Sequence, residues 1–182
     1  MNRRQRARLV ISTLIAGIVG LLVMTGTVKV FRIPTGGMSP TIQPGDHVTA
    51  TRIFKPAGKI ARGQLVVFNS ARANPRLKGR FLQRVVATGG DTVDLIDGRL
   101  QVNGQPLPDR DGKIPRGADW RAARDWALPK YPLVIPQDHI FALGDNHDNS
   151  LDSRYFGSFP VDAVTHRPGR IILPLSRAGK IE

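Results

Sequence analysis

Two patterns of apolar and polar residues divide the chain. Residues 9–28 form a run of twenty positions without a charged side chain, close to the roughly 20 apolar residues that cross a bilayer as a helix. After this run helical periodicity is hard to find, and short segments alternate between apolar and polar positions. We therefore predict one N-terminal helix followed by a mainly β, antiparallel domain.

Strand signals recur through the second part of the chain. Alternation or β-branched content marks residues 47–53, 64–68, 81–88, 138–143 and 170–173. Residues 91–102 are typical of a hairpin, because the Asp97-Gly98 pair suits a type I′ turn in which both central residues have positive φ. Asn103-Gly104 supplies the next turn.

The alternating pattern breaks down between residues 105 and 136, where six prolines fix φ and remove hydrogen-bond donors. We predict an irregular excursion with a short helix over residues 119–128. Its Trp120 and Trp126 are expected to cover the sheet, and a membrane-facing role for the two indoles is the alternative.

Four arginines precede the apolar run, at positions 3, 4, 6 and 8. The positive-inside bias then predicts residues 1–8 in the cytoplasm, a transmembrane helix over residues 9–28 and an extracytoplasmic domain over residues 29–182. We therefore expect a single-pass protein of the inner (cytoplasmic) membrane. A cleaved secretory signal is disfavoured, because the run exceeds a typical h-region and lacks an Ala-x-Ala end. A buried soluble helix is disfavoured by its lack of amphipathic order.

The excess of basic over acidic residues indicates which partners the protein can bind. The chain has 27 basic and 14 acidic residues, a net charge of +13, and 6% aromatic residues. Such a surface suits anionic lipid headgroups of a bilayer, but sparse aromatics and the absence of a recognition motif argue against nucleic acid. A solvated arginine-rich face explains the charge more simply than either. Without cysteine, disulfides and thiolate metal sites are excluded.

Four segments, in order along the chain, carry a family resemblance. Residues 33–42 read Ile-Pro-Thr-Gly-Gly-Met-Ser-Pro-Thr-Ile, and residues 62–68 read Arg-Gly-Gln-Leu-Val-Val-Phe. Residues 83–91 begin Gln-Arg-Val-Val and end Gly-Asp. Residues 144–157 read Gly-Asp-Asn-His-Asp-Asn-Ser-Leu-Asp-Ser-Arg-Tyr-Phe-Gly. Together they resemble the signature segments of type I signal peptidases, membrane-anchored endopeptidases with a Ser/Lys dyad.

The resemblance places the family's nucleophilic serine at Gly37 and its general-base lysine at Gln83. Such chemistry requires an attacking hydroxyl, a base that is neutral near pH 7 and donors for the oxyanion. Glycine has no side chain, and a glutamine amide has no usable basicity. We therefore expect a catalytically impaired relative with little peptidase activity.

The resemblance also assigns the surrounding residues. Thr35 matches the hydroxyl that helps bind the oxyanion, beside the backbone N–H of residue 37, and Ser150 matches the serine that orients the lysine. Met38 belongs to the same groove. Four charged residues match those that tie the site's strands together, as partly buried ion pairs: Arg84, Asp145, Asp152 and Arg154.

These matches predict a signal-peptidase-type β fold that binds extended segments of exported or membrane-tethered polypeptides. One alternative is a working signal peptidase, acting through other residues or with these two positions engineered. Another is a structural surface protein with a vestigial groove.

A substitute catalytic pair is disfavoured. Ser39 with His147 is the least unlikely version, but Met38 and Pro40 around Ser39 favour a local turn. His147 lies among aspartates without the spacing of a metal loop, so we predict no metal and no cofactor.

Overall fold

The computed structural model describes residues 2–54, 60–108 and 127–181. Within these ranges the helices α1 to α3 cover Arg3–Met24, Ser70–Ala73 and Ser153–Phe156, with 3-10 turns at Val161–Ala163 and Leu175–Arg177. The strands β1 to β12 cover, in chain order, Val28–Arg32, His47–Arg52, Leu65–Asn69, Arg80–Thr88, Thr92–Ile96, Arg99–Val102, Gln105–Pro106, Leu133–Val134, His139–Leu143, Phe159–Pro160, Val164–Leu173 and Gly179–Lys180.

The N-terminal apolar run forms helix α1, with limits that differ from the prediction. The helix begins at Arg3 and includes all four arginines, and it ends at Met24, before β1 begins at Val28. Among the described residues, no helix combines the length and apolar character needed to cross a membrane. The predicted transmembrane helix over residues 9–28 thus differs from α1, which starts six residues before and ends four residues before those limits.

Antiparallel strands make up most of the remaining described chain and confirm the mainly β prediction. Within the described residues, eight strands form a large sheet in the order β1-β2-β11-β3-β4-β9-β10, with β12 paired to β11. Four others form a small sheet in the order β7-β6-β5-β8. Every pairing in both sheets is antiparallel.

The predicted turns of the small sheet are confirmed. Asp97 and Gly98 have φ of 50° and 72°, and Asn103 and Gly104 have φ of 53° and 73°. Positive φ at both central residues is the requirement of a type I′ turn. These turns connect β5 to β6 and β6 to β7.

The small sheet packs on the large one through a shared apolar cluster. Val93, Leu100 and Val102 of the small sheet contact Phe141 and Leu143 of β9, and all five are buried. Burial of such side chains contributes about 1.5–3 kcal/mol each relative to exposure. The small sheet is thereby fixed beside the strand that leads into the 144–157 segment.

Asp91 links the two sheets through hydrogen bonds. It accepts from Arg62 Nε at 2.7 Å, from the Thr88 N–H at 2.8 Å and from the Asn103 amide at 3.1 Å. Burial acts to raise the pKa of the Asp91 carboxyl, but these bonds outweigh it and hold the pKa well below its ordinary value.

Two of the longer strands differ from the sequence prediction, and the two-residue strands β7, β8, β10 and β12 were not predicted. β1 follows α1 directly, at residues that the apolar pattern does not mark as a strand. β11 begins at Val164 rather than at residue 170, and its register shifts between Pro168 and Arg170. Such an irregularity interrupts the alternation that marks a strand in sequence. Residues 119–126 of the predicted short helix, with both tryptophans, lie outside the described residues.

Two strand edges of the large sheet lack a partner in the part of the chain that the structure describes. β1 is the first strand of the sheet and pairs with β2. β4 pairs with β3 from Arg80, but with β9 only from Arg84 onward. Residues 80–83 therefore present free backbone N–H and C=O groups on one side.

Candidate functional site

Residues from both unpaired edges line a cleft of about 510 Å³. Its lining comes from Val67 of β3 and from three segments: the end of β1 with the turn after it, residues 78–83 at the start of β4, and residues 149–151. Five residues that the sequence assigned to the site lie in this lining: Thr35, Gly37, Met38, Gln83 and Ser150. Met38 is also buried in the apolar cluster that contains Leu65 and Ile171, and this cluster supports the turn.

Asn146 holds the turn that carries Gly37. Its backbone N–H donates to the Gly37 carbonyl and its side-chain amide donates to the Gly36 carbonyl, both at 3.0 Å. Within the described residues, the Gly37 N–H and the Thr35 hydroxyl have no hydrogen-bond partner. Since both residues line the cleft, both groups can donate to a carbonyl oxygen placed there.

The Gly37 position leaves room for a side chain. A Cβ atom there would lie 3.5 Å from the Asn149 carbonyl oxygen and 3.7 Å from Ser150 Oγ. These are ordinary van der Waals distances. A Cβ atom therefore fits at position 37, next to the Ser150 hydroxyl.

Gln83 lies on β4 and is 3% exposed. Its Nε2 donates to the Leu151 carbonyl at 2.8 Å, which ties β4 to residues 149–151. Its Oε1 is buried and has no hydrogen-bond partner among the described residues. An unpaired buried carbonyl costs free energy.

Residue 144 approaches the Gly37 turn so closely that it must be glycine. A Cβ on Gly144 would overlap Ser150 Oγ and the Gly37 carbonyl oxygen, and would lie 2.6 Å from Ser150 Cβ. The close approach places the end of β9 directly against the residues that line the cleft.

Arg84 and Asp145 form the first of two ion pairs beside the cleft. Arg84 Nε and Nη2 donate to the two carboxylate oxygens of Asp145, each at 2.8 Å, and Nη1 donates to the Gly63 carbonyl at 2.9 Å. This bidentate geometry is the strong form of the arginine–carboxylate pair. It joins β4 to the residue that follows Gly144.

Asp152 and Arg154 form the second pair, which is 0% and 4% exposed in its side chains. Arg154 Nε and Nη2 each donate to Asp152 at 2.8 Å, and Nη2 also donates to the His147 carbonyl at 2.8 Å. Burial acts to lower the pKa of Arg154, but its hydrogen bonds to Asp152 raise the pKa above its ordinary value. Asp152 also accepts from the Gly144 N–H at 3.2 Å, so the pair fixes the 144–154 loop.

The residues of the substitute catalytic pair lie outside the cleft lining. Ser39 sits in the turn after Gly37, where its N–H donates to the Gly36 carbonyl at 3.0 Å. Within the described residues, neither Ser39 nor His147 is part of the cleft surface. Over the same residues, no group of three or more histidine, cysteine, aspartate or glutamate side chains is placed to hold a metal ion.

Several residues around the cleft were not assigned from the sequence. Gly144 and Asn146 belong to the 144–157 signature. The signature marks them as part of the site, but it does not show which residues they contact. Arg32, Lys78 and Arg80 also line the cleft. They come from separate segments, so no local motif marks them.

A family model and two relatives match the sequence of this chain. The family model described as signal peptidase, peptidase S26, matches residues 6–173. Signal peptidase I of Leptolyngbya laminosa is 31% identical over 153 residues, which are 82% of this chain and 70% of that protein. A probable signal peptidase I-2 of Synechocystis is 30% identical over 152 residues, 81% of this chain and 64% of that protein.

Two further similarities extend the comparison. A probable thylakoidal processing peptidase 2 of Arabidopsis thaliana is 29% identical over 161 residues, 82% of this chain, which spans only 39% of that protein. The crystal structure of a signal peptidase I from Enterococcus faecalis is 27% identical, with 59% of this chain and 95% of that chain covered at a TM-score of 0.38. On the match of residues 6–173 to the family model and the identity to the Leptolyngbya enzyme, the chain belongs to the signal peptidase family, peptidase S26.

Proposed function

We propose that this chain is a signal peptidase I-like protein that binds extended segments of exported polypeptides in the cleft and is catalytically impaired. One observation carries the proposal: free donors and unpaired strand edges surround the cleft. On the resemblance, Gly37 and Gln83 occupy the nucleophile and base positions of the family. The roles assigned to Thr35 and Ser150 rest on the same resemblance.

The unpaired edges support binding of an extended peptide. Residues 80–83 can hydrogen-bond to a guest backbone, as a sheet does when it gains a strand. A guest carbonyl can accept from the Gly37 N–H and the Thr35 hydroxyl.

The same residues support the absence of efficient cleavage. Without a hydroxyl at position 37 and an amine at position 83, no group attacks the carbonyl or accepts the proton. Removing the reacting groups of a serine protease leaves a residual acceleration of about 10³ to 10⁴ over water.

A working signal peptidase is the second candidate, favoured by the space at position 37 and by the intact surroundings. The test is restoration with the double variant Gly37→Ser/Gln83→Lys, compared with the unaltered chain in detergent micelles. The substrate is a labelled precursor peptide with an Ala-x-Ala site, and mass spectrometry follows its cleavage.

We expect the unaltered chain to bind the precursor without cutting it and the double variant to cut it. The matched control Gly37→Ala/Gln83→Lys fills the same space without supplying a hydroxyl, and should stay inactive. Cleavage by the unaltered chain at a rate near that of the double variant would establish the second candidate instead.

The proposal includes a place of action at a membrane, with residues 1–8 on the cytoplasmic side and residues 29–182 on the far side. Helix α1 supports it, because Leu9, Ile11, Leu14, Ile18 and Leu21 are all 56–62% exposed. Water is a poor environment for so many apolar side chains on one helix. A lipid phase would cover them.

A further inference from the structure

Cations line the cleft on two sides. Arg32 ends β1 on one side, while Lys78 and Arg80 stand just before and at the start of β4 on the other. All three side chains belong to exposed residues. Among the described lining residues there is no aspartate or glutamate to balance them.

These cations differ from five arginines of the described chain that have carboxylate partners. Within the described residues, ion pairs with aspartates are made by Arg62, Arg72, Arg84, Arg154 and Arg177. In the same part of the chain, Arg32, Lys78 and Arg80 have no such partner. Their charges therefore add to one positive potential along the cleft.

A neighbouring histidine is affected by one of these cations, Arg80. His166 lies on β11 against Phe31, whose ring meets it edge-on at 5.3 Å between centroids. Burial lowers the pKa of His166 most, and the charges of Lys29, Arg80 and Arg52 lower it further. Arg80 is thus the cleft cation whose charge reaches His166.

Resting on the proposed function, we infer that the cleft selects anionic stretches of exported polypeptide. An extended guest places its backbone on the free strand edges, and its Asp or Glu side chains reach Arg32 on one side and Lys78 or Arg80 on the other. These three residues determine specificity, and they act by charge complementarity rather than by a shaped pocket.

The test is an anisotropy titration of the full chain in detergent micelles with three labelled peptides. The peptides are identical except at two flanking positions, which carry Glu, Gln or Lys. We expect the Glu peptide to bind about tenfold more tightly than the Gln peptide, given the strength of exposed ion pairs. The Lys peptide should bind most weakly, and the differences should shrink at about 0.5 M salt, where exposed charges are screened.

A triple variant locates the effect. Arg32→Gln/Lys78→Gln/Arg80→Gln should bind the three peptides equally, and thermal unfolding checks that it is folded. The matched control removes three exposed cations away from the cleft: Arg99→Gln, Arg170→Gln and Lys180→Gln. An equal loss of preference in the control would assign the effect to net charge and overturn the inference.

The outcomes also separate this inference from the function on which it rests. If the unaltered chain binds all three peptides with one affinity, the cleft binds peptides but charge selection is wrong. If it binds none of them, the proposed function fails as well. Retention of the Glu preference in the cleft variant would assign the selection to other residues.

Discussion

At Gly144, the end of β9 meets Gly37 and Ser150 at contact distance, so a methyl group there has no space. We expect Gly144→Ala to destabilise the protein by about 1–3 kcal/mol, the usual cost of overpacking. Denaturant unfolding measures the change. Gly179→Ala is the matched control, since a Cβ at Gly179 meets nothing within 4 Å.

The same variant, Gly144→Ala, also gives a prediction for peptide binding. Because Gly144 contacts the turn that carries Gly37, the substitution should also weaken peptide binding to the cleft. Unchanged stability together with unchanged binding would contradict the close packing described for this position.

His166 gives a prediction for pH. Its pKa in the folded protein lies below the ordinary 6.5, through burial first and then nearby cations. The unfolded chain therefore binds a proton at a higher pH than the folded chain does. Stability from this residue is complete above about pH 6.5 and is lost as pH falls from there toward the folded pKa.

We expect the free energy of unfolding to decrease between about pH 7.5 and about pH 5.5, a range above the ordinary carboxylate values. His166→Leu should flatten this dependence, whereas His139→Leu should keep it. The comparison uses the pH slope, so an overall stability change in either variant does not obscure it. An unchanged slope in His166→Leu would contradict the prediction.

At the residue scale, the sequence predicted the residues of the cleft better than their contacts. Four predicted site residues line the cleft: Thr35, Gly37, Gln83 and Ser150. They could be predicted because they lie in recognisable signature segments. The orphaned Gln83 Oε1 could not be predicted, because it depends on which way one amide points. Cleft cations from separate segments also left no pattern, and their juxtaposition is a product of the tertiary fold.

Among the elements, the connection between the two sheets depends on Asp91. Asp91→Asn removes the charge from its hydrogen bonds to Arg62, and we expect a loss of about 1–3 kcal/mol, the range for bonds to charged groups. Asp162→Asn is the control. Its pair with Arg72 is exposed at 61% and 56%, and such pairs contribute about 0–1 kcal/mol.

Acid titration adds an independent check on Asp91. Because its folded pKa is lowered, its contribution is present above the unfolded value of 3.8 and is lost as pH falls below it. In Asp91→Asn this part of the acid sensitivity should be missing. Equal effects of Asp91→Asn and Asp162→Asn on unfolding would contradict the linking role.

At the element scale, strands with clean alternation were predictable and irregular ones were not. β2, β3, β4 and β9 were each predicted to within a few residues, and the two turns with positive φ followed from their Asp-Gly and Asn-Gly pairs. β11 was predicted only at its end, because Pro168 and the register shift interrupt its pattern. β1 was missed because its first residue, Val28, is the last position of the uncharged run and Lys29 follows it.

For the whole molecule, the exposed apolar side chains of α1 predict attachment to lipid. The full chain should float with phosphatidylcholine vesicles in a density gradient, while a chain without residues 2–24 should stay at the bottom. Flotation with vesicles that also contain anionic lipid tests separately whether the basic surface contributes to attachment. Equal flotation of both chains would place the attachment outside α1 and contradict the prediction.

The free edge at residues 80–83 also bears on how copies of the protein behave toward one another. A bare strand is a template on which an identical strand from another molecule can pair. Here two copies would have to bring Arg80 and Lys78 of each against the same cations of the other. Mutual repulsion therefore discourages self-association through the very groove that admits a guest, and neutral variants of these residues should form dimers and larger aggregates in sedimentation.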